Sequence, residues 1–226
     1  MSLIVIEGLD GAGKSTQVNL VTEYLNKQNR PYKYLHFPRM EGSFFGDLVA
    51  RFLRGEFGDN KTVNPYLVAL IYAEDRHDAK TTILNWLSEG NIVILDRYVF
   101  SNIAYQCAKL ENPEEKQKLK DWILNLEFDY FGLPRPDLNV FFDVPFLFTQ
   151  RKLTEVREGK ERDYLQGMRD IHEEDLDFQN KVREVYLSLS LQPSFVKIDC
   201  SKNEAEMLSP SEIFAKLQGY IEKSIL

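Results

Sequence analysis

The stretch that decides the fold reads Gly8-Leu9-Asp10-Gly11-Ala12-Gly13-Lys14-Ser15-Thr16. It satisfies the pattern G-x-x-x-x-G-K-[ST], follows an apolar segment at residues 3–7, and precedes apolar residues at helical spacing over residues 18–25. Glycines let backbone N–H groups wrap closely around an anion, and the start of the helix adds its dipole. Lys14 supplies a cation for the outer phosphates, and Ser15 offers a hydroxyl to Mg²⁺. All nine residues of this loop are therefore predicted to bind a nucleoside triphosphate.

Five short segments rich in β-branched and aromatic residues recur along the chain, at residues 3–7, 32–37, 92–96, 138–143 and 195–199. Most are continuously apolar rather than alternating, which is typical of strands buried on both faces of a parallel sheet. Amphipathic stretches at helical spacing separate them. We therefore predict an α/β P-loop NTPase fold with three layers, in which helices flank a five-stranded parallel sheet. A single domain is expected over residues 1–226.

The composition excludes several classes of function. The chain has 226 residues with 28 Lys and Arg against 35 Asp and Glu, and this net charge of -7 argues against a nucleic-acid binder. The longest apolar run, residues 66–73, is far too short to cross a membrane. The two cysteines have no metal-ligand spacing, which favours a reducing, cytoplasmic location. Any anionic substrate must therefore be held by a local cluster of positive charge.

Arginines in separate parts of the chain predict such clusters. Arg97 directly follows the third predicted strand, at the edge where open α/β sheets bind ligands. Arg39 follows the second predicted strand, and Arg76 lies on a helical stretch beside Tyr72. Residues 151–169 contain six further Lys and Arg side chains. This distribution favours a kinase, because such an enzyme must bring two anionic substrates together. A guanine-nucleotide switch is disfavoured, since no N-K-x-D motif is present.

Residues 94–106 read Ile-Leu-Asp-Arg-Tyr-Val-Phe-Ser-Asn-Ile-Ala-Tyr-Gln. This stretch resembles the signature of the thymidylate kinases, which phosphorylate dTMP to dTDP with ATP. The likeness extends to residues 8–16, 37–39, 55–59, 72–76, 135–138 and 174–186, and so covers nearly the whole chain. The resemblance implies the same function in dTTP biosynthesis, ATP and dTMP as substrates, Mg²⁺ as cofactor, and a homodimer.

The resemblance also implies how thymine would be recognised. Tyr72 would stack on the base, while Arg76 and Asn102 would hold its edge. A flat aromatic ring recognises any base face, so discrimination must come from hydrogen bonds at the edge.

Other matching positions imply contacts with the phosphate and the sugar of dTMP. Arg97 would hold the acceptor phosphate with help from Phe37-Pro38-Arg39. Asp10 would approach the 3′-hydroxyl, and Tyr105 would crowd a 2′-hydroxyl. The full candidate set for dTMP is Asp10, Phe37, Pro38, Arg39, Tyr72, Arg76, Arg97, Ser101, Asn102 and Tyr105.

The predicted chemistry needs positive charge rather than a general base. A phosphate monoester has a second pKa of about 6, so the acceptor is already mostly a dianion near neutral pH. The difficulty is repulsion between the phosphates and their alignment for in-line transfer. Ser15 and Asp96 are the candidate Mg²⁺ ligands. The candidate catalytic residues are Lys14, Arg97, Asp10 and Arg162.

Residues 151–169 are predicted to form a helical lid that closes over the γ-phosphate and excludes water. Some members of the family carry a catalytic arginine in the phosphate loop. Here position 11 is glycine, which assigns that arginine to the lid. Two alignments are possible, so Arg162 is the first choice and Arg157 and Arg169 stay open.

Two alternatives to a thymidylate kinase also stay open. One is another nucleoside monophosphate kinase with dUMP or dCMP as acceptor. The other is a P-loop ATPase or switch, because the loop alone does not name the reaction.

Overall fold

The computed structural model describes residues 2–40, 42–154, 164–166, 170–173, 175–192 and 195–225. A parallel sheet of five strands lies at its centre, in the order β2-β3-β1-β4-β5. Its strands are β1 (Ser2–Gly8), β2 (Tyr32–His36), β3 (Ile92–Asp96), β4 (Leu138–Asp143) and β5 (Phe195–Asp199). The predicted sheet and its parallel direction are confirmed.

Helices follow the strands in alternation and cover both faces of the sheet. They are α1 (Lys14–Lys27), α2 (Phe44–Leu53), α3 (Pro65–Ser88), α4 (Val99–Cys107), α5 (Pro113–Leu124), α6 (Phe146–Thr154), α7 (Leu176–Leu189) and α8 (Pro210–Ile225). A short π-helix, Asn125–Tyr130, continues directly from α5.

The central strand β1 is continuously apolar over residues 3–6 because successive side chains point to opposite faces of the sheet, and both faces are covered. Leu3 and Val5 belong to a core that also contains buried residues of α3, α4, α5 and α7. Ile4 and Ile6 point into a second core with buried residues of α1 and α8. All four side chains are at most 1% exposed. The predicted burial on both faces is therefore confirmed for β1, and also for β3 and β4. It is wrong for β2 and β5, which are partly exposed because they form the edges of the sheet.

One polar residue of β1 ties the sheet to α4. The Glu7 side chain is fully buried, and its carboxylate accepts hydrogen bonds from the backbone N–H groups of Tyr98 (3.1 Å) and Ser101 (3.2 Å). Glu7 also accepts from the hydroxyls of Ser101 and Tyr186. Helix α4 has no side-chain cap of its own, so the Glu7 carboxylate satisfies its first N–H groups. Burial raises the pKa of Glu7 above its usual range.

The predicted lid is only partly described. Arg151 and Lys152 lie in the last turn of α6. Arg157, Arg162 and Arg169 lie outside the described residues. No helix in the described ranges is long and apolar enough to span a bilayer.

Candidate active site

A cleft of about 810 Å³ opens where β1, β2 and β3 end. Because these strands are parallel neighbours, the residues that follow them meet at one edge of the sheet. Every residue of the candidate dTMP set lines this cleft, as do Gly11, Lys14, Ser15 and Asp96.

The phosphate loop adopts the backbone that its glycines permit. Gly11 and Gly13 have φ angles of 75° and 78°, in the left-handed region that other residues rarely adopt. The Lys14 ammonium folds back over the loop and donates to the carbonyl oxygens of Leu9 (3.0 Å) and Gly8 (3.4 Å). Burial, together with the nearby Arg97 charge, lowers the pKa of Lys14 to about 8. A bound phosphate would raise this pKa again by Coulombic attraction.

Arg97 is the central cation of the cleft. Its Nη2 donates to Asp10 Oδ1 at 2.7 Å and to the Tyr105 hydroxyl at 3.2 Å, while Nη1 donates to Ser101 Oγ at 3.3 Å. Its φ angle of 67° costs roughly 1–2 kcal/mol for a residue with a side chain. Strain of this kind is tolerated where the surrounding structure holds the residue in place, as at ligand sites.

Asp10 stays ionised because of this arrangement. Burial raises the pKa of its carboxyl, but Arg97 and Lys14 lower it, and the net pKa lies well below the usual range. The Tyr105 hydroxyl donates to Asp10 Oδ2 at 2.8 Å. An ion pair between Asp10 and Arg97 thus connects the phosphate loop to the residue after β3.

Asp96 ends β3 with one oxygen engaged and one without a partner. Its Oδ2 lies 3.3 Å from His36 Nδ1, and its buried Oδ1 has no hydrogen-bond partner in the described part of the chain. The Ser15 side chain is exposed at the same cleft. No cluster of three or more His, Cys, Asp or Glu side chains suited to a metal occurs among the described residues. An ion here would therefore need further ligands from water or phosphate.

Three of the predicted residues form the other end of the cleft. Tyr72 lies on α3, one turn before Arg76, which is only 2% exposed. Arg76 donates from Nε and Nη2 to the two oxygens of Glu127, at 2.5 and 2.7 Å. Asn102 donates from Nδ2 to Glu127 Oε1 at 2.9 Å and to the carbonyl oxygen of Ala69 at 3.0 Å. At this neutral end of the cleft, the Glu127 carboxylate balances the charge of Arg76.

Arg39 is held more tightly than its place after β2 suggests. Its backbone N–H and its Nε donate to the buried Asp75 carboxylate at 2.8 and 3.0 Å, and its Nη2 donates to Asp78 at 2.6 Å. The sequence places Arg39 at the cleft. Its carboxylate partners lie on α3, and no sequence pattern near Arg39 predicts them.

A second cleft, of about 610 Å³, adjoins the phosphate loop. Gly11, Gly13 and Thr16 line it from the loop, and Gly11 lines both clefts. Its other walls combine basic and apolar side chains, including Phe148, Arg151, Lys152, Lys202, Met207, Leu208 and Ile213.

A family model described as thymidylate kinase matches residues 6–209. The chain belongs to the thymidylate kinase family. A thymidylate kinase of Mycobacterium tuberculosis is 36% identical over 190 residues, which are 84% of this chain and 86% of that protein. A thymidylate kinase of Plasmodium falciparum is 30% identical over 200 residues, covering 88% and 82%.

A solved structure of the Candida albicans thymidylate kinase has a TM-score of 0.69 and 26% identity, and it covers 98% of this chain and 91% of that one. The thymidylate kinase resemblance, the P-loop α/β fold and the phosphotransferase class predicted from the sequence are therefore confirmed. Phosphorylation of dTMP by ATP, the predicted reaction, is the activity that gives this family its name.

The structure adds cleft residues that were not among the candidate site residues, including His36, Gln106, Tyr164, Asp170, His172 and Glu173. Asp170 accepts hydrogen bonds from the Tyr164 hydroxyl (2.9 Å) and the backbone N–H of His172 (2.8 Å). Burial, with the nearby Asp10 and Glu173 carboxylates, raises the pKa of Asp170 to about 7. Asp and Glu residues are common along the chain, and only the packing around Asp170 marks its carboxyl as unusual.

Proposed function

We propose that this chain transfers the terminal phosphoryl group of ATP to the phosphate of dTMP, giving dTDP for dTTP biosynthesis. One observation carries the assignment of the residues. A single cleft joins Lys14 and Arg97 at its phosphate end to Tyr72, Arg76 and Asn102 at its neutral end. A charged tail and an uncharged base are what a nucleoside monophosphate presents.

The residues of the phosphate end would act by charge and alignment. The acceptor phosphate is already mostly a dianion near neutral pH, so no side chain has to remove a proton. Lys14 and Arg97 would offset the repulsion between the two phosphate groups and hold them in line. Asp10 would orient Arg97 through their ion pair.

Mg²⁺ would be held by the Ser15 hydroxyl and the Asp96 carboxylate. The buried Oδ1 of Asp96 fits this role, since it has no hydrogen-bond partner among the residues that the structure describes. Mg²⁺ usually takes only one or two carboxylates and completes its shell with water and phosphate. When bound, the ion would neutralise charge on the phosphates of ATP. We expect EDTA to abolish turnover and Asp96→Asn to raise the Mg²⁺ concentration needed for half-maximal rate.

The second cleft would hold the nucleoside of ATP, because it adjoins the phosphate loop and combines apolar walls with basic side chains. The proposed lid, residues 151–169, begins beside it in the last turn of α6. Arg162 would contact the γ-phosphate, with Arg157 and Arg169 as the alternatives. Single alanine substitutions of the three, assayed for turnover, assign the role to the variant that loses most activity.

A homodimer is part of the proposal. Leu67, Leu70 and Leu84 are exposed along one side of α3, with exposed fractions of 60%, 36% and 40%. Phe44 on the adjacent α2 is 77% exposed. Burial of such side chains favours self-association. Analytical ultracentrifugation should show a dimer that Leu67→Glu weakens, and a monomer of the parent chain would contradict it.

A cytoplasmic location is also proposed. Cys107 and Cys200 are both buried as free thiols, as expected in a reducing compartment. Thiol titration of the chain unfolded without reductant should detect both.

The test of the proposed reaction is a panel of dTMP, dUMP and dCMP with ATP and Mg²⁺. We expect rapid formation of dTDP and slower reaction with dCMP. Preferred turnover of dUMP or dCMP would assign another monophosphate kinase. ATP hydrolysis unchanged by every monophosphate would assign an ATPase or switch.

A further inference from the structure

Glu127 lies behind the neutral end of the cleft, where it contacts the lining residues Arg76 and Asn102, and it comes from an unusual piece of backbone. It lies in the π-helix Asn125–Tyr130, where the N–H of Phe131 donates to the carbonyl of Leu126, five residues earlier, at 2.8 Å. Single turns of π-helix are rare and frequently occur at functional sites. The Glu127 side chain is fully buried, so the turn delivers a carboxylate into the protein interior.

The first partner of Glu127 is Arg76. The bidentate pair engages two of the five guanidinium N–H groups, so donors remain for a second acceptor. Burial alone would lower the pKa of Arg76, but the Glu127 carboxylate more than offsets this and the net pKa is raised. The pair neutralises the charge of Arg76, which suits this end of the cleft to a heterocycle rather than to a phosphate.

The second partner is Asn102, and the contact fixes which way its amide faces. Glu127 Oε1 and the carbonyl oxygen of Ala69 are both acceptors, so only the NH₂ group of Asn102 can lie against them. The Asn102 Oδ1 is buried and has no hydrogen-bond partner among the described residues. Asn102 lines the cleft beside Tyr72 and Arg76. Its free hydrogen-bonding atom is therefore an acceptor.

We infer that Glu127 is a positioning residue that sets the base preference of the acceptor site through Asn102. With the amide fixed by Glu127, the site offers an acceptor from Asn102 and a donor from Arg76. A 4-oxo pyrimidine with an N3–H group complements this pair. Cytosine, with an unprotonated N3 and a 4-amino group, presents the opposite pattern. The inference rests on the proposed function and adds a residue to it.

Glu127→Gln tests the inference with little change of shape. Glu127 Oε1 accepts from both Arg76 Nη2 and Asn102 Nδ2, and Oε2 accepts from Arg76 Nε. A glutamine that keeps its oxygen on Arg76 Nε therefore turns its NH₂ group toward Asn102, whose amide is then held by the Ala69 carbonyl alone. We expect kcat/KM for dTMP to fall, and the preference for dTMP over dCMP to fall about tenfold, because the Asn102 acceptor that the N3–H group needs is no longer held in place. The preference for dTMP over dUMP should stay the same, since both bases share the N3–H and 4-oxo edge.

Equilibrium titration of dTMP and dCMP without ATP should show the same change in preference. Asp129→Asn is the matched control, because Asp129 lies in the same π-helix with a side chain that is 60% exposed, and its pair is with Arg135. This control should leave the base preference at the parent value.

Asn102→Ala completes a double-mutant cycle. If Glu127 acts through Asn102, Glu127→Gln changes the dTMP-to-dCMP ratio in the parent chain but not in the Asn102→Ala background. Equal losses for dTMP and dCMP in Glu127→Gln would overturn the inference and leave Glu127 with a structural role only.

If Glu127→Gln does not fold, seen as a lost thermal transition, Glu127→Asp replaces it, because the shorter carboxylate keeps the charge beside Arg76 but withdraws from Asn102. A reduced dTMP-to-dCMP ratio in Glu127→Asp that is absent in the Asn102→Ala background supports the inference, and an unchanged ratio overturns it. The parent chain separates this result from the proposed function. If the parent makes no dTDP, the proposed function fails. If the parent is active but the ratios do not move, only the inference fails.

Discussion

Arg97 and Asp10 form an ion pair of 2.7 Å that links the residue after β3 to the phosphate loop after β1. Both side chains line the larger cleft, and Gly11, the neighbour of Asp10, lines both clefts. Arg97, which we propose to bind the acceptor phosphate, is thereby held against the phosphate loop, which we propose to bind ATP. With the two phosphates bound as proposed, the distance between them would be set by parallel strands that pair directly.

Replacing Arg97 should affect turnover far more than folding. We expect Arg97→Ala to reduce kcat by on the order of a hundredfold or more and to raise KM for dTMP, because a preorganised charge is removed. Arg97→Lys should recover only part of the rate, since an ammonium lacks the planar fork. Steady-state kinetics measures both effects. Arg135→Ala, at a side chain that is 63% exposed, is the control. Near-parental turnover in Arg97→Ala would remove Arg97 from the mechanism.

Lys14→Met should likewise remove the charge of the loop while keeping the length of its side chain. We expect kcat to fall by on the order of a hundredfold or more. Lys27→Ala, at an exposed position in the last turn of the same helix, should retain the parental rate. Single-turnover measurement of dTDP formation checks the chemical step. A Lys14→Met variant with full activity contradicts the assigned role.

Asp170 should make stability depend on pH. Its pKa is raised from 3.8 to about 7, so the folded chain binds more protons than the unfolded chain between these values. Stability contributed by this group therefore falls as pH rises through that window. Asp170→Asn removes this destabilisation, so the difference in Tm between the variant and the parent should be more favourable to the variant at about pH 8 than at about pH 5. The change in that difference should be a few degrees, because about 1 kcal/mol corresponds to roughly 2–4 °C for a chain of this size.

Thermal denaturation of both chains at the two pH values measures this difference. Asp129→Asn, at an exposed carboxyl, should change Tm equally at both. The same shift at both pH values in Asp170→Asn would mean that the Asp170 carboxyl does not titrate in this window.

Gly46 controls how closely α2 approaches Arg39. A Cβ on Gly46 would overlap the backbone carbonyl of Arg39. We expect Gly46→Ala to destabilise the fold by about 1–3 kcal/mol and to raise KM for dTMP. Gly219→Ala in α8, where an added Cβ meets nothing within 4 Å, should stabilise by up to about 1 kcal/mol. Urea denaturation compares the two, and equal effects would argue against the predicted clash.

The sequence specifies the sheet well because its signal is local. Short segments rich in β-branched and aromatic residues predict β3, β4 and β5 with the observed bounds, β1 within one residue at each end, and β2 within one residue at its C-terminal end. The candidate site was also predictable, since the motif residues follow strands that meet at one edge. Their assigned contacts with ATP and dTMP stay predictions.

The partners of those residues could not be predicted in this way. Glu127 lies 51 positions from Arg76, and nothing in a local pattern indicates a π-turn there. Asp75 and Arg39 are separated by 36 positions, and their pairing depends on how α3 packs. Long-range contacts of this kind are set by the packing of whole elements, so a motif names the residue that faces the ligand but not the one that holds it.

The buried carboxylate of Glu7 bears on how the acceptor is selected. It joins the central strand to the first turn of α4, the helix that carries Ser101, Asn102 and Tyr105. A wall bonded in this way to the middle of a sheet has little freedom to adjust. The acceptor nucleotide would therefore meet a template that is already shaped, and induced fit would be confined to the donor side of the enzyme.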